Sequence, residues 1–268
     1  MAVSADALQV YEGLGVLTGA PAAGEAARLE HRLVGVVPVT ETFSAGEYAE
    51  LAHAEIDELL RDGRTPIVVG GTGLYLRAAL ADLDLMPPPD PAIRERLRVE
   101  LERRGPAALH AELAQRAPRA AARIEPGDRQ RIVRALELHE AGALGADRPD
   151  SQLWTAETRH PTALVGLVME RETLNEGVDT RVDAMVRAGA VDEVRRADAA
   201  GASETARKAL GFRELLDGDV EAMKRNTRRF AKRQMTWMRK LAGVHLIDVT
   251  GREAGDVADE LLAYAAKR

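Results

Sequence analysis

The chain has 268 residues and a mass of 29.0 kDa; 46% of its residues are hydrophobic, 30% charged and only 3% aromatic, which suits one large domain or two modest ones. Ordinary glycine (23) and proline (12) counts exclude collagen-like and low-complexity chains, the absence of cysteine excludes disulfides and thiolate metal sites, and no apolar run approaches the ~20 residues of a membrane helix. With no charged-then-apolar leader at Met1, the expectation is a cytoplasmic protein without a membrane partner. The net charge is −6, but it is unevenly spread: residues 224–240 hold eight Lys/Arg and no Asp or Glu, which leaves −14 for the remainder. Such a stripe can grip phosphates even on an acidic protein.

In chain order, a short apolar start leads into Ser4-Ala5-Asp6-Ala7-Leu8-Gln9-Val10-Tyr11. An aspartate just after a strand is most often a cap, and other segments are needed to make Asp6 a catalytic candidate. Residues 19–24, Gly-Ala-Pro-Ala-Ala-Gly, imitate the start of the phosphate-cradling pattern G-x-x-x-x-G-K-[ST]. Glu25 and Ala26 stand where lysine and the hydroxyl belong, so this is an Ala/Gly loop that shares only the spacing. Short β-branched runs at 34–37, 67–69, 163–169 and 244–249 predict buried strands alternating with helices, the pattern of an α/β protein with a largely parallel sheet. Ser44 and Glu47 predict a capping box on a helix with Ile56, Leu59 and Leu60 on its apolar face and a stop at Gly63. Strand 67–69 then runs into Gly70-Gly71-Thr72-Gly73 and a helix over 74–80. Strand, glycine loop and helix in that order place amides and a helix N-terminus at the carboxyl edge of the sheet, where α/β proteins bind ligands. The Thr72 hydroxyl could donate to a phosphate oxygen or merely cap the helix.

Met86-Pro87-Pro88-Pro89-Asp90-Pro91 marks a boundary, because proline continues neither a helix nor a central strand. Residues 92–144 are helical in pattern and rich in Arg, Glu and Ala, and a turn-rich stretch over 145–161 leads back to a strand. The expected organisation is an α/β core of residues 1–88 and 156–268 interrupted by a helical insertion at 89–155. Within the insertion, Gln130, Arg131 and Arg134 form Q-R-x-x-R, with Ile132, Val133 and Leu136 expected on the buried side; one ligand or simple solvation would explain the exposed residues. Arg181 lies near the start of the helix after strand 163–169, able to clamp an oxyanion or to pair with Asp179 or Asp183. In 224–241 the basic residues share one half of the helix, opposite Phe230, Trp237, Met238 and Leu241, a cationic face that suits RNA. The six histidines show no metal-binding spacing, and no zinc site is expected.

Taken together, residues 4–11, Gly-Gly-Thr-Gly-Leu-Tyr (70–75), Gln-Arg-Ile-Val-Arg-Ala-Leu-Glu (130–137), Arg-Val-Asp-Ala-Met (181–185), Lys-Ala-Leu-Gly-Phe-Arg-Glu (208–214) and Lys-Arg-Gln-Met-Thr-Trp-Met-Arg (232–239) resemble, in order, the tRNA dimethylallyltransferase family. The resemblance implies a P-loop-type parallel sheet flanked by helices with an all-helical insertion, and transfer of a dimethylallyl group from its diphosphate to N6 of adenosine 37 in the anticodon loop. It implies Asp6 as the base, with Thr72 and Arg181 at the leaving diphosphate alongside Gly70 and Gly71. It also implies tRNA contacts from Asp6, Ala7, Leu8, Gln9, Thr72, Arg94, Gln130, Arg131, Ile132, Val133, Arg134, Lys208, Ala209, Leu210, Gly211, Phe212, Arg213, Lys232 and Arg233. Mg²⁺, dimethylallyl diphosphate as co-substrate, a tRNA anticodon stem-loop as partner and a monomeric state complete the implied picture.

The chain departs from the family in starting almost at the Ser-Ala-Asp block, without the strand and G-P-T-x-x-G-K-[ST] loop that precede it in family members. Ala7 replaces a frequent serine, and Thr18-Gly19-Ala20-Pro21 lacks the family's lysine. The expectation is therefore a truncated, weakly active or inactive enzyme of low solubility. The competing expectations are a non-catalytic RNA-binding remnant and an enzyme that prenylates free adenine nucleotides.

Overall fold

The first three apolar residues after Met1 form the centre of a sheet. The structure, a computed structural model, describes residues 1–86, 90–144 and 152–267. The proline run at 87–89 and the part of the turn-rich boundary at 145–151 lie outside the described residues. Strand β1 (Ala2–Ser4) is buried throughout and pairs in parallel with β2 (His31–Arg32) on one side and β3 (Ile67–Val69) on the other. Two short helices, α1 (Gly15–Thr18) and α2 (Ala23–Ala26), lie between β1 and β2.

The strand expected at 34–37 is displaced. Leu33 and Gly35 both have φ 61°, a left-handed conformation that no strand sustains. The strand comes earlier, at His31–Arg32. Residues 35–37 instead bond to the segment after Asp6, with Gly35 N donating to Gln9 O at 2.8 Å and Val37 N to Val10 O at 2.9 Å.

The capping box folds as the residues dictate. In α3 (Ala45–Arg61) the Ser44 hydroxyl accepts from Glu47 N, while the Glu47 carboxylate accepts from Ser44 N at 2.8 Å. Gly63, at φ 70°, follows its end. Tyr48, Ala52, Ile56 and Leu59 are buried, but Leu60 lies on the exposed side. After β3 the glycine loop opens into α4 (Gly73–Leu80).

Asp84–Ser151 form a separate compact unit. It holds α5 (Pro91–Arg104), α6 (Pro106–Arg116), α7 (Pro118–Ala121) and α8 (Arg129–Glu140). Three of them begin with proline, whose fixed φ and missing N–H suit the first helical position. Leu97, Leu101, Leu109, Leu113, Ile132 and Leu136 make its core. Arginine–glutamate pairs such as Arg104–Glu112 at 2.6 Å and Arg116–Glu112 at 2.8 Å run along its surface.

Back in the first unit come β4 (Val165–Val168), α9 (Arg171–Arg187), α10 (Ala190–Ala199), α11 (Phe212–Leu216), α12 (Val220–Met238), β5 (His245–Asp248) and α13 (Ala254–Ala265). Strands β4 and β5 pair in parallel as a second, two-stranded sheet. The architecture is α/β with parallel strands. Both sheets carry bare apolar residues: Ile67 and Val69 on β3 and Leu167 on β4 are all more than half exposed. Parallel strands are ordinarily covered on both faces. Among the described residues no helix is long and apolar enough to cross a membrane.

Arg159 holds α3 to the returning chain, its Nη2 2.9 Å from Asp57, and His160 meets the same carboxylate at 2.9 Å. These hydrogen bonds hold the Asp57 carboxyl down to about 2. A depressed carboxyl pKa stabilises the fold fully above its unfolded value near 4, and that contribution fades as pH falls towards 2. Asp57→Asn is therefore expected to lower the melting temperature at pH 7, with the gap to wild type closing between about pH 4 and 2; a gap independent of pH would refute this assignment.

Candidate active site

Parallel pairing of β1 with β3, in the register Ser4 opposite Val69, brings the chain after each strand to one edge. Ala5 N donates to Val69 O at 2.7 Å, and the two backbones then run so close that a Cβ on Gly70 would sit 2.3 Å from the Ala5 carbonyl oxygen. Only glycine fits there. Thr72 precedes α4, yet its hydroxyl makes no cap hydrogen bond; it accepts instead from Ala7 N at 3.3 Å. The glycine loop and the Asp6 loop are thus joined.

Asp6 closes an Asx turn, its Oδ1 accepting from Leu8 N at 2.8 Å and Gln9 N at 3.4 Å. Oδ2 has no hydrogen bond among the described residues, so one carboxylate oxygen is held while the other is available. Beneath lie Tyr48 and Tyr75, stacked at 4.2 Å. Burial first, and the Asp6 charge in part, push both phenols above their ordinary range, which keeps them protonated. Tyr48 donates to Ser4 O at 3.0 Å.

Gln9 links Asp6 to the third predicted residue. Ser4 Oγ donates to its Oε1 at 3.0 Å, and its Nε2 donates to Gly19 O at 3.2 Å. Gly19 has φ 61°, and a Cβ there would lie 1.9 Å from a terminal nitrogen of Arg181. The loop is anchored from below by Glu193, whose buried carboxylate accepts from Val16 N at 3.0 Å and Leu17 N at 2.8 Å. Arg181 sits well inside α9 rather than near its start. Asp179 is engaged by Arg228 and Asp183 by Lys224, so the ion pairs that would have explained Arg181 are made elsewhere. Among the described residues its exposed guanidinium has no ion pair. Sequence reasoning read Gly19 only as the start of an Ala/Gly loop and did not single out Glu193; the positive φ and the long-range carboxylate leave no local signal.

Helix α12 closes the glycine loop from the other side. Gln234 Nε2 donates to Gly71 O at 3.0 Å, and a Cβ on Gly73 would lie 2.0 Å from the Trp237 indole. Trp237 in turn meets Trp154 at 5.5 Å, with Lys240 above the Trp154 ring. The cationic stripe is less free than its sequence suggests. Lys224 pairs with Asp183 and Glu221, Arg225 with Asp219 and Arg228 with Asp179, while Arg229, Lys232, Arg233, Arg239 and Lys240 remain exposed without an acidic partner among the described residues.

The other predicted positions divide by burial. Lys208 and Arg213 are exposed, whereas Ala209, Gly211 and Phe212 are core residues and Leu210 is half-buried. In the helical unit Gln130 and Arg131 are exposed, Arg94 and Arg134 converge on Glu137, and Ile132 and Val133 face the core. Ala7, Leu8 and Gln9 are half-buried around Asp6. A cleft of about 500 Å³ at the carboxyl ends of β4 and β5, lined by Glu170, Met235, Arg239 and Asp248, shares no lining residue with the Asp6 cluster. Among the described residues no group of three or more His, Asp or Glu side chains is placed to hold a metal.

Residues 9–241 match the family model for IPP transferase. The chain belongs to the IPP transferase family. Its relatives include proteins named tRNA dimethylallyltransferase from Thermobifida fusca, 40% identical over 99% of this chain and 84% of theirs, and from Acidothermus cellulolyticus, 42% identical with the same coverage. Among solved structures, the full-length tRNA isopentenylpyrophosphate transferase of Bacillus halodurans superposes with a TM-score of 0.67 at 31% identity, covering 98% of this chain and 88% of that one. A eukaryotic dimethylallyltransferase solved acting on tRNA shares the fold, with a TM-score of 0.73 at 22% identity, over 98% of this chain and 73% of its own.

In this chain, the contact of Gly73 with Trp237 is the joint between loop and basic helix. Gly73→Ala should force the indole aside and destabilise the fold by about 1–3 kcal/mol. The two tryptophans are the only ones in the chain and lie together, so intrinsic fluorescence reports the shift. Unchanged emission and an unchanged denaturation midpoint would show that the joint yields freely.

Proposed function

We propose that the chain transfers a dimethylallyl group from dimethylallyl diphosphate to N6 of adenosine 37 in a tRNA anticodon loop. The observation that carries this reading is the junction of Asp6, Thr72 and Arg181 through Ala7, Gln9 and Gly19. An adenine amine is a weak nucleophile, so a carboxylate must take its proton as the carbon–nitrogen bond forms. Asp6 is that base, its Oδ1 fixed by two amides and its Oδ2 left to reach the amine. The leaving diphosphate gathers negative charge, which the Arg181 guanidinium meets together with the amides of the loop from Gly70 to Gly73. The Thr72 hydroxyl accepts its bond from Ala7 N, and its own proton stays available to a phosphate oxygen. Adenosine 37 lies in an unpaired loop and can leave its stack at modest cost.

The tRNA is held on cations. In the first unit these are the exposed Lys208, Arg213, Lys232 and Arg233; in the helical unit they are the exposed Arg131 and the partly buried Arg94 and Arg134, with Gln130 beside them. The buried members of the predicted set, Ile132, Val133, Ala209, Gly211 and Phe212, shape the backbone that carries them. Mg²⁺ accompanies the diphosphate in this reading. No carboxylate cage awaits it among the described residues, which suits an ion bound chiefly by phosphate oxygens and water, and no step is routed through it. The bare apolar residues of β3, β4 and β5 support one further element of the proposal, that a strand bearing a phosphate loop completes the parallel sheet beside β3.

The test is transfer of labelled dimethylallyl from its diphosphate to an anticodon stem-loop, by residues 1–268 and by the same chain extended with a strand and G-x-x-x-x-G-K-[ST] loop. Slow transfer by the first and fast transfer by the second are expected. In the extended form, Asp6→Asn should cut turnover by about 10²–10⁴-fold with stem-loop affinity kept. Arg181→Ala should cut it by about 10²–10³-fold. Stem-loop binding without transfer by either form would leave an RNA-binding protein, and transfer to free adenine nucleotides in preference to RNA would move the substrate.

A further inference from the structure

Glu137 is the one carboxylate of the helical unit that is taken out of water among the described residues; its side chain is 1% exposed. An ionised carboxylate in that position is strongly unfavourable unless cations and hydrogen bonds surround it. Two arginines do so. From α5, Arg94 approaches in a two-pronged pair, with Nε 2.7 Å from Oε1 and Nη2 3.1 Å from Oε2. From one turn earlier on α8, Arg134 Nη1 reaches Oε2 at 3.2 Å. The remaining arginine–glutamate pairs of the unit lie at partly exposed side chains and can shift. Arg94, by contrast, is fixed along one edge of its guanidinium plane while 43% of its side chain stays exposed, and its Nη1 has no hydrogen bond among the described residues.

We infer that Glu137 is a positioning residue for RNA binding: it fixes the guanidinium plane of Arg94 so that its outer edge meets the phosphate backbone. This rests on the reading of the helical unit as part of the tRNA surface. A flexible arginine must lose side-chain freedom to engage a phosphate, and one already clamped has lost it in advance. Without positioning, charge alone gives the opposite expectation, because a carboxylate beside an RNA surface repels it and its removal would tighten binding. The sign of the effect therefore separates positioning from both plain electrostatics and a mere strap between α5 and α8.

The experiment measures affinity of the full 268-residue chain for an anticodon stem-loop across a salt series, well below each variant's melting temperature. Glu137→Gln is expected to weaken binding about tenfold and to reduce the slope of log Kd against log salt by about one phosphate contact. Affinity equal to or tighter than wild type would overturn the inference. Arg94→Lys keeps the charge but loses the planar fork, so it should bind nearly as weakly as Arg94→Ala. If Glu137→Gln does not fold, wild-type affinity in Arg94→Lys overturns the inference instead. Arg131→Ala, at an exposed residue away from Glu137, separates the two levels. Weakening in Arg131→Ala and Arg94→Ala with Glu137→Gln unchanged sinks the positioning role alone, whereas wild-type affinity in all of them sinks the RNA surface itself.

Discussion

The close passage of Gly70 against the Ala5 carbonyl is the constraint on which the site depends. It exists because β1, only three residues long, is central in its sheet and pairs with β3 in a single register. A slip of one residue would turn every side chain of β1 to the other face and carry Asp6 with it. The hydrogen bond from Ala5 N to Val69 O and the bond from Ala7 N to the Thr72 hydroxyl lock the register just beyond the strand ends. The Asx turn of Asp6 and the bridge from Gln9 to Gly19 then extend that order outward to Arg181. These hydrogen bonds, with the contact of Gly19 on Arg181, link three groups that lie 66 and 109 residues apart in the chain (from Asp6 to Thr72 and from Thr72 to Arg181).

Helix α12 serves this site and the basic surface at once. Its inner side supplies Gln234 to the Gly71 carbonyl and Trp237 to Gly73, so the glycine loop cannot move without it. Its outer side presents Arg229, Lys232, Arg233 and, just past its end, Arg239 and Lys240. The acids of α9 and of the helix's own first turn neutralise the N-terminal cations, so the free charge is concentrated at the C-terminal half, where Trp154 and Trp237 also stand.

What the sequence made legible follows how local the cause is. The capping box of α3, strand β3 with its glycine loop, and the buried side of α8 at Ile132, Val133 and Leu136 are each set by residues within one or two turns of one another. The run at 34–37 misled because residues 35–37 bond their backbone to residues 9–12 instead of extending a strand, while Leu33 and Gly35 take left-handed backbone that hydropathy does not encode. Gly19, Glu193 and Glu137 were invisible as functional residues, since each acts on a partner far along the chain. The cationic stripe looked unopposed because part of its counter-charge, Asp179 and Asp183, sits on α9 some 45 residues earlier, and the rest, Asp219 and Glu221, lies just before residue 224.

Arg181 shows how such long-range pairing can still be constrained by elementary geometry. Residues four apart on a helix share a face, whereas residues two apart are turned by roughly 200°. Asp179 and Asp183 are four apart on α9, as are Lys224 and Arg228 on α12, and the two faces meet as a matched pair of ion pairs. Arg181 is two residues from each aspartate, so the spacing that commits them to α12 turns it away, toward Gly19. Asp-x-Arg-x-Asp is therefore a sorting device. Its acids are used up in packing one helix on another, and its cation is delivered without an ion pair to Gly19, whose carbonyl Gln9 ties to the Asp6 turn.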